Sequence, residues 1–377
     1  MKVVHLSTAH EADDVRIFHK ECVSAAAAGH EVVLIVSRGS DEDRAGVRIR
    51  AVGRSGSGRF SRVTGALWRV LRAGLRERGD VYHVHEPELI LAGLALRLRG
   101  RRVVYDVHEN YPAAMTHRPW VPAALRRPLA WLFDRFERWS AGRLAGIVTV
   151  NDEIAARFPE RKTIQVRNYV RGGAASSDVG AALAVPQADY GSRPNAACFL
   201  GAMTAIRGIT ETVKAISLLP AELEPKLILA GEFAPPSYRE EIERLWDPAR
   251  VEFLGQIPVA DVPAVYARSR ATIVPYHPCP NHTDASPNKM FEGMAAGLPV
   301  IASDFPKWRP IIEQHGCGLL VDPLRPESIA EALRWVFEHP DEAEAMGQRG
   351  RAAALEHYTW ESQAAKLLDL YDRIATR

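Results

Sequence analysis

Short, unbroken apolar runs recur along this chain, and most neighbouring pairs are separated by a stretch with helical spacing. Val3 to Ser7, Glu31 to Val36, Val81 to His85, Val103 to His108 and Gly146 to Val150 form a first series. Ala197 to Leu200, Lys226 to Ala230, Val251 to Leu254, Ala271 to Pro275, Leu298 to Ala302 and Gly318 to Val321 form a second. A strand that is apolar on both faces belongs in a sheet covered on both sides, and strands alternating with helices build parallel βαβ units. The pattern predicts an α/β chain of two doubly wound, Rossmann-like domains with a cleft between them. Ligands are expected at the carboxyl ends of the strands. The helix predicted over Val15 to Ala28 turns Val15, Phe18, Cys22 and Ala25 inward and stops at Gly29. Residues 171–195 carry Gly172, Gly173, Ser176, Ser177, Gly180, Gly191 and Pro194, which reads as a linker. The expected division is 1–170, linker 171–195, and 196–360, with a C-terminal helix over 361–377 returning to the first domain.

A length of 377 residues suits two cores better than one. A net charge of +2 is too small to make nucleic acid the main partner. Cys22, Cys198, Cys279 and Cys317 lie far apart without a CxxC pair, which points to a reducing compartment and away from disulfides or structural zinc. The start of the chain reaches Glu11, Asp13 and Asp14 too soon for a signal peptide, and no apolar run approaches a membrane span. A cytoplasmic location is expected.

The segment Ser286 to Ser303 carries the clearest chemistry. Ser286 is a predicted N-cap and Pro287 a first helical residue; Met290, Phe291, Met294 and Ala295 share one apolar face, and Gly297 ends the helix before the run from Leu298. Asn288, Lys289 and Glu292 stand on the first turn, where free backbone N–H groups favour an anion. A cation for phosphate beside a carboxylate for a sugar hydroxyl suits a nucleotide-sugar site.

The order and spacing of several motifs resemble retaining glycosyltransferases of the GT-B fold, specifically glycosyltransferase family 4, nearly end to end. The carrying residues are Val3-Val4-His5-Leu6-Ser7, Gly29-His30-Glu31-Val32, Asp80-Val81-Tyr82-His83-Val84-His85, Phe199-Leu200-Gly201, Leu229-Ala230-Gly231-Glu232, Val251-Glu252-Phe253-Leu254-Gly255 and Tyr358-Thr359-Trp360-Glu361. The resemblance implies sugar transfer from a nucleotide diphosphate sugar, with UDP- or GDP-sugars preferred, to an acceptor hydroxyl with retention. It implies no obligatory metal or other cofactor. The family's Glu-x7-Glu element falls on Asp284 and Glu292, with Asp284 toward the donor sugar and Glu292 toward the ribose. The diphosphate loop falls on Gly201 to Gly208, with Ala202 where the family usually has arginine and Arg207 where it has lysine. The resemblance implies that Arg207 and Lys289 stabilise the leaving diphosphate and that His108 contacts the donor sugar. His10, Asp14, Arg16, His85 and Glu86 are acceptor-side candidates.

Two stretches mix aromatic or aliphatic residues with arginine. Leu67 to Arg78 has Trp68, Val70, Leu71 and Leu75; Leu125 to Arg143 has Leu129, Trp131, Leu132, Phe133, Phe136 and Trp139 with five arginines. Peripheral contact with an anionic membrane would suit a lipid-linked acceptor, as packing on a sheet would suit any amphipathic helix. A glycan or a small aglycone is the other acceptor class, in cell-surface polysaccharide, glycolipid or natural-product glycoside synthesis. Two rivals share the architecture: a nucleotide-sugar 2-epimerase and a non-catalytic nucleotide-sugar binder. A nicotinamide oxidoreductase is disfavoured, because Leu6-Ser7-Thr8-Ala9-His10 has no glycine.

Overall fold

The computed structural model describes residues 1–53, 59–116, 121–171 and 190–376, with backbone only at 59–64 and 280–281. Most of the expected linker lies outside the described residues. The chain forms two compact units, one from residues 1–168 with 360–377 and one built mainly from 190–359.

The first unit holds eight strands: β1 (Lys2–Leu6), β2 (Glu31–Val36), β3 (Glu42–Arg44), β4 (Val47–Ala51), β5 (Val81–Val84), β6 (Arg102–Val107), β7 (Gly146–Thr149) and β8 (Thr163–Gln165). Their order in the sheet is β3-β4-β2-β1-β5-β6-β7-β8, parallel except for the β3–β4 pair. Val4, Leu6, Val33, Tyr82, Val84 and Tyr105 pack one face; Val3, Val32, Leu34, Val81, Val104 and Val148 pack the other. Burial on both faces explains the unbroken apolar runs. The helix Trp360–Ala375 covers the second face through Trp360, Leu367, Leu370, Tyr371 and Ile374. Trp360 Nε1 donates to Ser24 Oγ at 2.8 Å.

The expected Val15–Ala28 helix differs in detail. A π-helical turn spans Ile17–Cys22 and an α-helix follows over Val23–Ala27. Val15 is exposed rather than inward, whereas Phe18, Cys22 and Ala25 are buried. The cause is Asp14, whose Oδ1 accepts from Arg16 N at 2.9 Å and Ile17 N at 2.8 Å, so the helix begins after Val15. The wide turn (Glu21 N to Arg16 O, 2.9 Å) also brings Lys20 and Glu21 inside.

The second unit holds β9 (Ala196–Leu200), β10 (Lys226–Ala230), β11 (Val251–Gly255), β12 (Ala271–Val274), β13 (Val300–Ser303) and β14 (Gly318–Val321). They form a parallel sheet in the order β11-β10-β9-β12-β13-β14. The order reverses between β9 and β12, so the carboxyl ends of these two strands mark the place where a doubly wound sheet opens a ligand crevice. The corresponding reversal in the first unit lies between β1 and β5. Both places carry the chemistry that follows.

Candidate active site

In the second unit, the loop after β9 runs Gly201 to Gly208 and leads into the helix Ile209–Leu218. Gly208 has φ +73°, and a Cβ there would stand 2.1 Å from the Pro275 carbonyl oxygen at the end of β12. The two strand-end loops therefore pack backbone to backbone, which only glycine permits. Gly201 has φ +128°, and the space where its Cβ would sit is flanked by Lys289 Cε at 3.5 Å and Arg207 Nη1 at 3.7 Å. Two long cationic side chains thus converge on one bare stretch of backbone. Arg207 is held by Nη1 donating to Ala202 O at 3.0 Å, with its guanidinium 5.5 Å from the centre of the buried Tyr276 ring.

Lys289 lies on the helix Asn288–Ala295, whose apolar face (Met290, Phe291, Met294) is buried as expected. Its start is one residue later than expected: Pro287 occupies the cap position in extended backbone, and no side chain caps the helix. With Pro287 extended at the cap, Ser286 is left outside the helix. The uncapped first turn keeps backbone donors for an anion, next to Asn288 and Lys289. Lys289 Nζ pairs with Glu292 Oε2 at 2.8 Å, and the Tyr266 hydroxyl stands 3.4 Å from the same oxygen. Burial works against the Lys289 ammonium, but Glu292 outweighs it and raises its pKa. Asp284 sits elsewhere in character, paired with Lys307 at 2.6 Å on a half-exposed loop. The Ala285 carbonyl of that loop accepts from Trp308 Nε1 at 2.7 Å. Tyr266, Tyr276 and Lys307 were not among the expected residues.

In the first unit, His10 Nδ1 meets Asp14 Oδ2 at 2.8 Å. This hydrogen bond chiefly raises the His10 pKa, against burial, and depresses that of Asp14. The ring of His10 stacks on that of His108, centroids 5.7 Å apart. The other acceptor-side candidates face inward. Glu86 is buried, accepting from the Ser7 hydroxyl, Thr8 N at 3.1 Å and Ala9 N at 3.3 Å. Arg16 is buried against Asp106, and His85 is fully buried beside His5. Arg16, Glu86 and His85 thus pack beneath the first loop, with Glu86 holding its backbone at Thr8 and Ala9.

Beneath that loop lies a buried cluster that the expectations did not name: His5, Glu21, His83 and Asp106, together with Arg16, His85 and Tyr371. His5 and His83 are register partners across β1 and β5. Two subsets, His5–Glu21–His83–His85 and His85–Asp106–His108, bring ligand-type atoms within 4.8 Å of one another. Burial pushes the His85 pKa down to about 4 and lowers His5 and His83 well below the usual imidazole value. Burial, then Asp106, raises Glu21.

Residues 187–353 match the family described as Glycosyl transferases group 1, and residues 16–167 match Glycosyltransferase Family 4. The chain belongs to glycosyltransferase family 4. This glycosyltransferase resembles the D-rhamnosyltransferase WbpZ of Pseudomonas aeruginosa at 34% identity over 110 residues, spanning 29% of this chain and 28% of that one. Glycogen synthase of Mycobacterium tuberculosis is 24% identical over 387 residues, covering 94% of this chain and 90% of its own. The solved sucrose-phosphate synthase of Thermosynechococcus elongatus has TM-score 0.74 at 18% identity, covering 99% and 98% of the two chains. HepE of Anabaena, solved with UDP-glucose, has TM-score 0.73 at 14% identity, covering 99% and 100%. The GT-B fold is that of these structures. The matched families and named relatives are transferases and synthases, and nothing in them supports the epimerase alternative.

Among the described residues, no helix is long and apolar enough to cross a membrane. The helix Ala123–Ala141 exposes Leu125, Trp131, Leu132 and Trp139. Arg135 covers the Trp131 ring and Arg143 the Trp139 ring, at 5.3 and 3.9 Å.

Proposed function

We propose that this glycosyltransferase takes its sugar from a nucleotide diphosphate sugar, a UDP- or GDP-sugar in particular, and passes it to an acceptor hydroxyl with retention of configuration. The observation that carries the reading is the convergence of Arg207 and Lys289 on Gly201, at the β9/β12 reversal and beside an uncapped helix start. Arg207 offers a planar fork for two phosphate oxygens and Lys289 a compact charge. In transfer, the bond between the anomeric carbon and the diphosphate oxygen breaks and a bond to the acceptor oxygen forms. The acceptor proton leaves on the departing diphosphate. The two cations and the backbone donors stabilise the negative charge that develops on that leaving group. Glu292 is our candidate for the ribose hydroxyls, oriented by Lys289; Asp284 and His108 are candidates for the donor sugar, and no resident metal is required. The solved complex of HepE with UDP-glucose supports this donor class through a shared fold.

Cell-surface polysaccharide, glycolipid or natural-product glycoside synthesis is the proposed setting, on the cytoplasmic side. The exposed Trp131, Leu132 and Trp139 among arginines favour a lipid-linked acceptor reached by peripheral membrane contact. The deciding experiment screens UDP-, GDP-, ADP- and dTDP-sugars for a rise in melting temperature, then measures transfer in Glu292→Gln and Arg207→Ala. Both variants should fold and lose most transfer. Unchanged turnover in both rejects the placement, and donor binding with neither transfer nor slow hydrolysis would leave a nucleotide-sugar binder.

A further inference from the structure

Asp106 is the hub of the buried cluster in the first unit. It lies near the end of β6, fully buried, two residues before His108. Arg16 grips its carboxylate with Nε to Oδ2 at 3.2 Å and Nη2 to Oδ1 and Oδ2 at 3.2 and 3.1 Å. The guanidinium is itself anchored by Nη1 donating to the Val166 carbonyl at 3.0 Å. Three imidazole nitrogens face the same carboxylate oxygen: His108 Nε2 at 3.3 Å, His85 Nδ1 at 3.6 Å and His83 Nε2 at 3.9 Å. None of the three nitrogens has a hydrogen-bond partner among the described residues, so the Asp106 carboxylate is the anion each faces without yet being bonded to it.

The three rings are not equivalent. His85 is pinned on its far side by His5 Nδ1 to His85 Nε2 at 3.0 Å, and His83 by Tyr371, whose hydroxyl is 2.7 Å from Nδ1. His108 is nearest to the carboxylate and is partly exposed, with 15% of its side chain accessible. Its Nε2 side faces the buried anion, so its Nδ1 side faces away.

From this geometry we infer that Asp106, clamped by Arg16, holds the His108 proton on Nε2 and thereby presents a bare Nδ1 as acceptor for a substrate hydroxyl. Asp106 and Arg16 are positioning residues for His108. The inference rests on the proposal that His108 touches substrate. Which ring nitrogen carries the proton is set by the hydrogen bond the other face makes. An ionised carboxylate accepts only, so it selects the tautomer that donates toward it. Burial works against the Asp106 charge, but Arg16 outweighs it and keeps the group well below the usual carboxylate range. Arg16 also argues against a metal at His85–Asp106–His108. The Oδ2 atom that would ligate an ion already accepts from two guanidinium nitrogens, and a divalent cation would stand against that fixed charge.

The test uses the full chain with 15N-labelled histidine at pH 8, read by long-range proton–nitrogen correlation and assigned by comparison with His108→Gln. The expected result is a protonated Nε2 and a bare Nδ1 on His108, with that preference lost in Asp106→Asn and weakened in Arg16→Lys. A wild-type His108 protonated on Nδ1 overturns the inference, whatever the variants do. So does a stoichiometric metal ion in the purified chain that disappears in His108→Ala, the histidine found only in the His85–Asp106–His108 subset. In turnover with the donor chosen by the nucleotide-sugar screen, Asp106→Asn should lower kcat by at least about tenfold, because the amide no longer fixes the histidine tautomer. It should have no further effect in a His108→Ala background. Full additivity of the two would mean a merely structural role and overturns the inference. If His108→Ala is silent while Arg207→Ala abolishes transfer, the inference falls and the proposed function stands. If both are silent, both fall.

Discussion

Substituting Gly208 by alanine should cost much more than the same change at another left-handed glycine of the same unit, Gly255. Gly208 and Gly255 have φ of +73° and +67°, so a Cβ brings both a left-handed backbone cost of about 1–2 kcal/mol. At Gly255 nothing lies within 4 Å of the new methyl group, and the cost ends there. At Gly208 the methyl would stand 2.1 Å from Pro275 O, where ordinary contact begins at 3.4 Å. That oxygen is backbone at the end of β12 and has no rotamer to escape into, so the strain belongs at the upper end of overpacking, about 2–3 kcal/mol. At about 2–4 °C per kcal/mol for a unit of this size, Gly208→Ala should melt roughly 4–12 °C below Gly255→Ala. Calorimetry on the two variants gives the comparison, with UDP added in a second scan. Opening the loop displaces Arg207, so stabilisation by UDP should vanish in Gly208→Ala and persist in Gly255→Ala. Equal melting shifts would refute the packing of the two strand-end loops.

The buried neutral histidines predict acid sensitivity. His85 has its folded pKa near 4 against an ordinary 6.5, so its contribution is intact above pH 6.5 and is lost as the pH falls from 6.5 toward 4. The loss at pH 5 is about 2 kcal/mol from this group. Glu21, raised by burial, acts with the opposite sign, so urea midpoints at pH 7 and 5 should be compared between wild type and His85→Gln; the wild type should fall further. Lys289→Met should weaken UDP stabilisation by at least about tenfold in affinity, since it removes one of two phosphate cations and the ion pair that orients Glu292, as titration calorimetry will read. Trp131→Ser with Trp139→Ser should abolish co-sedimentation with anionic phosphatidylglycerol vesicles and leave the melting temperature within about 2 °C of wild type, because both side chains are exposed.

Both sheets were legible because parallel strands buried on two faces leave unbroken apolar runs, and β2, β10 and β14 match their expected bounds. The three strands that escaped notice lie toward the two ends of the first sheet, β8 (Thr163-Ile164-Gln165) at one and β3 and β4 at the other. β3 is Glu42-Asp43-Arg44, and β4 alternates Val47 and Ile49 with Arg48 and Arg50, a half-buried pattern weaker than the neighbouring runs. In the second unit, Lys289 and Glu292 were readable as i,i+3 neighbours on one helix. The ion pair between Asp284 and Lys307 was not, since no periodicity links a loop to a distant residue. The histidine cluster shows the same limit. His83 and His85 share a strand face by simple alternation, but His5, Arg16, Asp106 and Tyr371 reach them only through sheet register and a returning helix.

That returning helix constrains the order in which the protein can assemble. Trp360, Leu367 and Tyr371 fill the face of a sheet whose strands all precede residue 169. During synthesis the ribosome must deliver the whole of the second unit before the first receives its last wall. The intervening unit has every residue of its own sheet in hand earlier, so it should settle into its native form while its predecessor is still waiting.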